Sequence, residues 1–112
     1  MRKIIIAVVL SAVVAAVVAV PVLAQATKLQ GTVGPGFTIS LAKKPTKAGK
    51  YTLVVSDKSS IHNFRLKGPG VNVATSVPAT GSKTFKVTLK KGKYTFLCDP
   101  HPTTMKGSFT IK

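Results

Sequence analysis

A thiol, an imidazole and a thioether lie close together near the C-terminus of this 112-residue chain, at Cys98, His101 and Met105. Their spacing, Cys-x2-His-x3-Met, falls in a proline-containing loop between two segments of alternating polar and apolar residues. A thiolate, an imidazole and a weak axial thioether form a soft donor set that suits copper cycling between Cu(I) and Cu(II). Such a type-1 site also needs a second histidine, and the chain has only one other, His62. We therefore predict that these four residues bind one copper ion.

Each of these four residues also has an ordinary structural interpretation. A lone cysteine is commonly a small buried apolar residue, and methionine is common in protein cores. Zinc competes for a cysteine and two histidines, but structural zinc sites usually have four Cys or His ligands. The single cysteine excludes an internal disulfide and a dinuclear copper site with two bridging thiolates. The joint spacing and the thioether favour copper.

The N-terminal segment, residues 1–26, has the three parts of a secretory signal peptide. It has a positive start, an apolar run from Ile4 to about Val20 and an Ala-x-Ala sequence that ends at Ala26. An uncleaved membrane anchor is the alternative, since the apolar run approaches the length that spans a bilayer. The sequence predicts an exported protein, periplasmic or secreted, whose single mature domain comprises residues 27–112.

The mature domain is dominated by apolar residues at every second position, which is typical of half-buried β-strands. Glycine and proline turns separate these short segments, and this pattern predicts an all-β antiparallel sandwich or barrel. The alternating segments contain Leu29 and Val33; Phe37, Ile39 and Leu41; Tyr51, Leu53 and Val55; His62, Phe64 and Leu66; Val71 and Val73; Phe85, Val87 and Leu89; Tyr94, Phe96 and Cys98; and Phe109 and Ile111.

The same alternation positions two of the predicted ligands. Cys98 shares a strand face with Tyr94 and Phe96, so its sulfur should emerge where an inward-facing row of side chains ends. His62 likewise shares a face with Phe64, and it can point towards the same end if the two strands are neighbours. Both ligands would then be supported by the rigid sheet.

The His62-Asn63-Phe64 segment, the Cys98-x2-His-x3-Met loop and the Met105-Lys106-Gly107 exit together resemble the small cupredoxins of the plastocyanin/azurin family. The resemblance implies a Greek-key β-sandwich of about eight strands with copper at one end. It also implies one-electron transfer between protein partners rather than enzyme activity. In the family, an asparagine in the position of Asn63 ties the ligand loops together. We further expect Asp99 to accept backbone N–H bonds in its turn.

The charge of the chain is strongly positive. It carries +15 overall, and removal of Arg2 and Lys3 leaves +13 on residues 27–112, with Asp57 and Asp99 as the only acids. Such a field favours anionic partners, although single lysines commonly protect sheet edges from pairing. We expect a monomer whose redox partners have an acidic docking face, with peripheral contact to an anionic membrane also open. Nucleic acid is not expected, because the aromatic residues follow the inward-facing alternation.

Two functions fit this ligand set. The first is an exported type-1 copper protein that transfers single electrons. The alternative is a copper carrier or buffer that delivers the metal without a redox role. An enzyme is not expected, because no Ser-His-acid set can be drawn once both histidines are used as ligands.

Overall fold

The computed structural model describes residues 26–112, which form eight β-strands in two four-stranded sheets. The predicted signal segment therefore lies outside the described residues, apart from Ala26. Between residues 26 and 112 there is no helix long and apolar enough to cross a membrane. The strands are β1 (Thr27–Val33), β2 (Ile39–Ala42), β3 (Gly49–Asp57), β4 (Arg65–Gly68), β5 (Val71–Ala74), β6 (Gly81–Leu89), β7 (Gly92–Leu97) and β8 (Lys106–Ile111).

The two sheets confirm the predicted β-sandwich. The first sheet has the strand order β2-β1-β3-β6, and the second has the order β5-β4-β7-β8. β1 and β3 run parallel, and every other neighbouring pair is antiparallel. The chain changes sheet between β3 and β4, between β5 and β6, and between β6 and β7. These crossings bring loops that are distant in sequence to the same end of the sandwich.

The core lies between the sheets and is built from alternating inward side chains. Leu53 and Val55 of β3 are completely buried. Phe96 of β7 stacks on Phe64, the residue directly before β4, with ring centroids 5.7 Å apart, and the planes of the two rings differ by 2°. Full burial of one such side chain contributes about 1.5–3 kcal/mol. The core therefore supplies the rigid base from which the loops extend.

Two sequence predictions were wrong in detail. Phe37 was predicted to lie in a strand, but β2 begins only at Ile39 and the Phe37 side chain is 61% exposed. The preceding Gly-Pro-Gly turn delays the pairing with β1 until Ile39. His62 was predicted to lie in a strand, but β4 begins at Arg65. The segment before β4 is buried without alternation, because Asn63 is held inside by hydrogen bonds.

The loops meet in two groups, one at each end of the sandwich. At the end that we call the metal end, Val33 of β1 is level with Asp57 of β3, and Leu97 of β7 is level with Lys106 of β8. The loops between β1 and β2, β3 and β4, and β7 and β8 lie there. The opposite end, which we call the far end, contains the β6–β7 turn and the last residue, Lys112, whose backbone N–H donates to the β2–β3 loop.

Candidate metal centre

Three of the four predicted ligands lie together at the metal end. The Nδ1 atoms of His62 and His101 are 3.2 Å apart. The Sγ atom of Cys98 is 3.7 Å from the first of these nitrogens and 3.6 Å from the second. The cysteine and His62 are completely buried, and His101 is half-buried. The sequence prediction thus identified three donor atoms that the fold brings into one triangle.

The size of this triangle fits a metal ion. Edges of 3.2, 3.6 and 3.7 Å leave a central point about 2.0 Å from each donor, close to the metal–nitrogen and metal–sulfur bond lengths of about 2.0–2.3 Å. Two imidazole nitrogens and one thiolate are the donors of a trigonal type-1 copper site. The chemistry and the spacing of the donor set therefore both fit copper.

The fourth predicted ligand, Met105, ends the loop that carries the cysteine and the second histidine. Its side chain is buried, with 1% exposure. Its backbone N–H donates to the carbonyl of His101 at 3.0 Å, and its carbonyl accepts from the N–H of Cys98 at 3.0 Å. The N–H of His101 donates to the carbonyl of Cys98 at 3.1 Å. These three bonds fold the loop back on itself, so the methionine backbone lies beside the cysteine.

Asn63 joins the two segments that carry the donors. Its Nδ2 donates to a carboxylate oxygen of Asp99 at 2.8 Å and to the carbonyl of Thr75 at 3.1 Å. Its Oδ1 accepts from the backbone N–H of Asp99 at 2.7 Å. Asn63 is 2% exposed. It directly follows the donor residue His62, and its partner Asp99 directly follows the donor residue Cys98. The asparagine therefore fixes the spacing between the two donors.

A second contact reinforces this connection from outside. Arg65 donates from Nε and from a terminal nitrogen to the two oxygens of Asp99, at 2.8 and 2.9 Å, and from its other terminal nitrogen to Asn72 at 2.7 Å. The arginine bond is the main cause that holds the pKa of Asp99 below its usual range, while burial acts in the opposite direction. Asp99 was expected to accept backbone N–H bonds in its turn, but it accepts from these side chains instead.

On the other side of the site, Asp57 is a buried carboxyl at the end of β3. Its Oδ1 accepts from the backbone N–H of Ser59 at 3.0 Å. Burial raises its pKa, and the bond to Ser59 and the attraction of His62 offset part of that rise. Among the described residues, the buried side-chain atoms with no hydrogen-bond partner are Asp57 Oδ2 and His62 Nε2. The ring nitrogen of His62 that faces the cysteine, Nδ1, is thus the one with short contacts.

Sequence reasoning missed the aromatic cover of the site. The ring of Phe37 lies edge-on to both imidazoles, with its centroid 4.8 Å from that of His62 and 4.9 Å from that of His101. Ile61 is 54% exposed in the next loop, and with Phe37 it gives this end an apolar surface. The Gly-Pro-Gly turn directly before Phe37 was the available signal, since such a turn ends the alternation that had placed the residue in a strand.

Comparisons with known proteins agree with this geometry. The model of the family described as copper binding proteins, plastocyanin/azurin family, matches residues 24–112. Auracyanin A, a "blue" copper protein from the green thermophilic photosynthetic bacterium Chloroflexus aurantiacus, superposes with a TM-score of 0.54 and 18% identity over 79% of this chain and 100% of its own. Reduced rusticyanin gives 0.50 and 20% identity over 76% of each chain. No curated protein sequence matches the chain.

Proposed function

Since the chain belongs to the plastocyanin/azurin family of copper-binding proteins, we propose that it is an exported type-1 copper protein that carries single electrons between redox partners. The observation that carries this proposal is the triangle of two imidazole nitrogens and one cysteine sulfur, with edges of 3.2–3.7 Å. Copper, when bound, supplies the one-electron couple Cu(I)/Cu(II). Cupredoxins are generally electron carriers, and we extend this non-enzymatic role to the present chain.

The four ligands of the proposal have unequal roles. His62, Cys98 and His101 would form the trigonal set, and Met105 would be the weak axial donor. The two oxidation states of copper prefer different geometries, so a carrier benefits from ligands that hold one compromise position. Burial of three of these residues and the loop bonds around Met105 restrict their movement. The connection through Asn63 restricts the distance between the two ligand segments.

His101 is the ligand through which we propose that electrons enter and leave. It is half-buried, whereas the flanking Pro100 and Pro102 are exposed and restrict the backbone around it. Phe37 and Ile61 add apolar surface at the same end. A redox partner would dock on this surface, and the positive charge of the whole domain would accelerate encounter with an acidic partner.

The visible spectrum tests the metal centre. The processed protein, residues 27–112, should turn intensely blue or green with Cu(II), because a thiolate-to-copper charge-transfer band requires Cys98. The Cys98→Ser variant should lose the colour, and the coloured protein should be reduced and reoxidised reversibly. A coloured Cys98→Ser variant would contradict the ligand assignment. Copper binding without reversible reduction would favour the carrier alternative instead.

Export is tested separately by mass. Cleavage of the proposed signal peptide, residues 1–26, gives a domain that begins at Thr27, and the intact mass of the exported protein should match that chain. Full-length protein recovered in washed membranes would show that the apolar run is kept as an anchor.

Stopped-flow electron exchange tests the partner. The rate with an acidic redox protein should fall as salt shortens the Debye length to about 10 Å near 0.1 M. A basic redox protein of similar potential serves as the control. A rate that ignores salt, or that favours the basic protein, would contradict the acidic docking face.

A further inference from the structure

The positive charge of the domain is distributed unevenly between its two ends. At the metal end, Arg65 pairs with Asp99 and Lys58 directly follows the buried Asp57. Lys83 and Lys106 lie near the ends of β6 and β8 at the same end, so these four cations and the only two acids of the sequence give a net side-chain charge of +2. The far end carries six exposed lysines, and we call this surface the basic pole. It consists of Lys47, Lys50, Lys90, Lys91, Lys93 and Lys112.

The basic pole is one surface, although it comes from three parts of the chain. Gly49, next to Lys50, pairs with Leu89 directly before the β6–β7 turn. That turn ends at Gly92, which pairs with Ile111, and the N–H of Lys112 donates to the carbonyl of Thr46 at 2.9 Å. Every lysine of the pole therefore lies within a residue or two of a backbone contact that joins two of the three segments.

Protection of strand edges does not account for the pole. Lysines that prevent edge pairing would lie along the outer strands, whereas Lys90 and Lys91 lie in a turn and Lys47 lies in a loop. A surface with six cations and no acidic side chain binds anions by long-range attraction.

We propose that the basic pole docks on the anionic headgroups of a phospholipid membrane and leaves the metal end facing away from the bilayer. Juxtamembrane clusters of about four to eight basic residues bind anionic lipid surfaces in this way, and six lysines fall in that range. The opposite orientation would bring a net side-chain charge of only +2 to the membrane. The proposal uses the proposed export but does not depend on electron transfer by the metal centre.

The position of the apolar N-terminal run supports the same orientation. β1 begins at Thr27, which pairs with Tyr51, the residue after Lys50 of the pole. Six residues, 21–26, separate Thr27 from the apolar run that ends near Val20, and six residues span at most about 20 Å. In the uncleaved chain, a membrane-embedded run would therefore hold the domain with the pole towards the bilayer. After the proposed cleavage, the lysines would keep this orientation without the covalent link.

Vesicle sedimentation tests the proposal with the copper-loaded processed protein. It should bind vesicles of equal parts phosphatidylcholine and phosphatidylglycerol at low salt, and it should not bind pure phosphatidylcholine. The double variant Lys90→Gln/Lys91→Gln should bind about 30-fold more weakly, on the basis of the usual contribution of each lysine near an anionic surface. Thermal unfolding and the visible spectrum of each variant show whether the fold and the metal centre are retained, so a failure of this proposal is distinct from a failure of the proposed function.

The matched control is the double variant Lys58→Gln/Lys106→Gln, which removes the same charge from the metal end. It should bind the anionic vesicles within a fewfold of the unmodified protein. Equal losses in the two variants would overturn the proposal, because binding would then depend on total charge alone. No binding to the anionic vesicles would also overturn it. Salt-sensitive binding to polyglutamate without binding to vesicles would show that the pole meets an acidic protein instead.

Discussion

Replacement of Asn63 by alanine tests whether the asparagine holds the metal site together. The change removes three hydrogen bonds, two to Asp99 and one to the carbonyl of Thr75. The side chain is 2% exposed, so water replaces these bonds poorly. Asn63 and Asp99 are 36 residues apart in sequence, and their bonds join the segment of His62 to the segment of Cys98 beside the donors. The variant should therefore be destabilised even without copper.

The expected size of the effect follows from these contacts. At about 1 kcal/mol for each hydrogen bond, the free energy of unfolding should fall by about 3 kcal/mol. A domain of this size loses about 4–8 °C in Tm for each kcal/mol. The Tm should therefore fall by about 10–25 °C. Asn72→Ala is the matched control, because Asn72 is exposed and accepts one bond from Arg65. Its effect should stay within about 0.5 kcal/mol.

Urea and thermal unfolding of the copper-free protein measure both effects. The near-ultraviolet circular dichroism of Tyr51 and Tyr94 reports the loss of tertiary structure, and the chain has no tryptophan to obscure it. Asn63→Asp keeps the shape of the side chain but directs a carboxylate at Asp99, so its destabilisation should lessen in acid. If Asn63→Ala unfolds within 0.5 kcal/mol of the unmodified protein, the asparagine does not hold the two segments together and the reasoning fails.

Three further predictions follow from other contacts. Met105→Leu should keep the colour but raise the reduction potential measured by voltammetry, because loss of a donor disfavours the more highly charged Cu(II); an unchanged potential would exclude it as a ligand. The lowered pKa of Asp99 contributes stability that is present above its unfolded pKa of about 3.9 and is lost as pH falls through its folded pKa. The difference in the free energy of unfolding between the copper-free protein and its copper-free Asp99→Asn variant should therefore narrow below about pH 4. A difference that stays constant with pH would contradict the ion pair. Gly107→Ala should cost about 1–3 kcal/mol because its Cβ would overlap the ring of Phe96, whereas Gly36→Ala, with open space around it, should unfold like the unmodified protein.

The parts of the site that the sequence predicts are those determined by local spacing. Cys98, His101 and Met105 lie within one loop, so their order and the alternation of the preceding strand place them without knowledge of the rest of the fold. His62 followed from composition, because the chain has one other histidine. Alternation predicted the sandwich for the same reason, since burial of every second side chain is a property of each strand alone.

The parts that were missed depend on contacts between distant segments. The bonds of Asp99 to Asn63 and Arg65 span 36 and 34 residues, and a turn aspartate with local acceptor bonds looks the same in the sequence. Phe37 was misplaced because alternation continues through it, while the turn before it shifts the start of pairing to Ile39. The sequence shows which of these residues are polar and which are apolar. Their contact partners can be identified only once the arrangement of the two sheets is known.

The position of the basic pole, at the opposite end of the domain from the metal site, also affects how the protein can bind a redox partner. An acidic protein in solution is attracted by the whole positive domain, but the six lysines of the basic pole lie on the far side from His101. Contact at the pole keeps the partner away from the ligands, since the sandwich lies between them. A membrane that covers the pole, as we propose, would remove this unproductive contact and would leave the apolar surface of Phe37 and Ile61 as the accessible docking site. The same lysines that would misdirect a soluble partner would thus favour productive docking if the domain lies on an anionic bilayer.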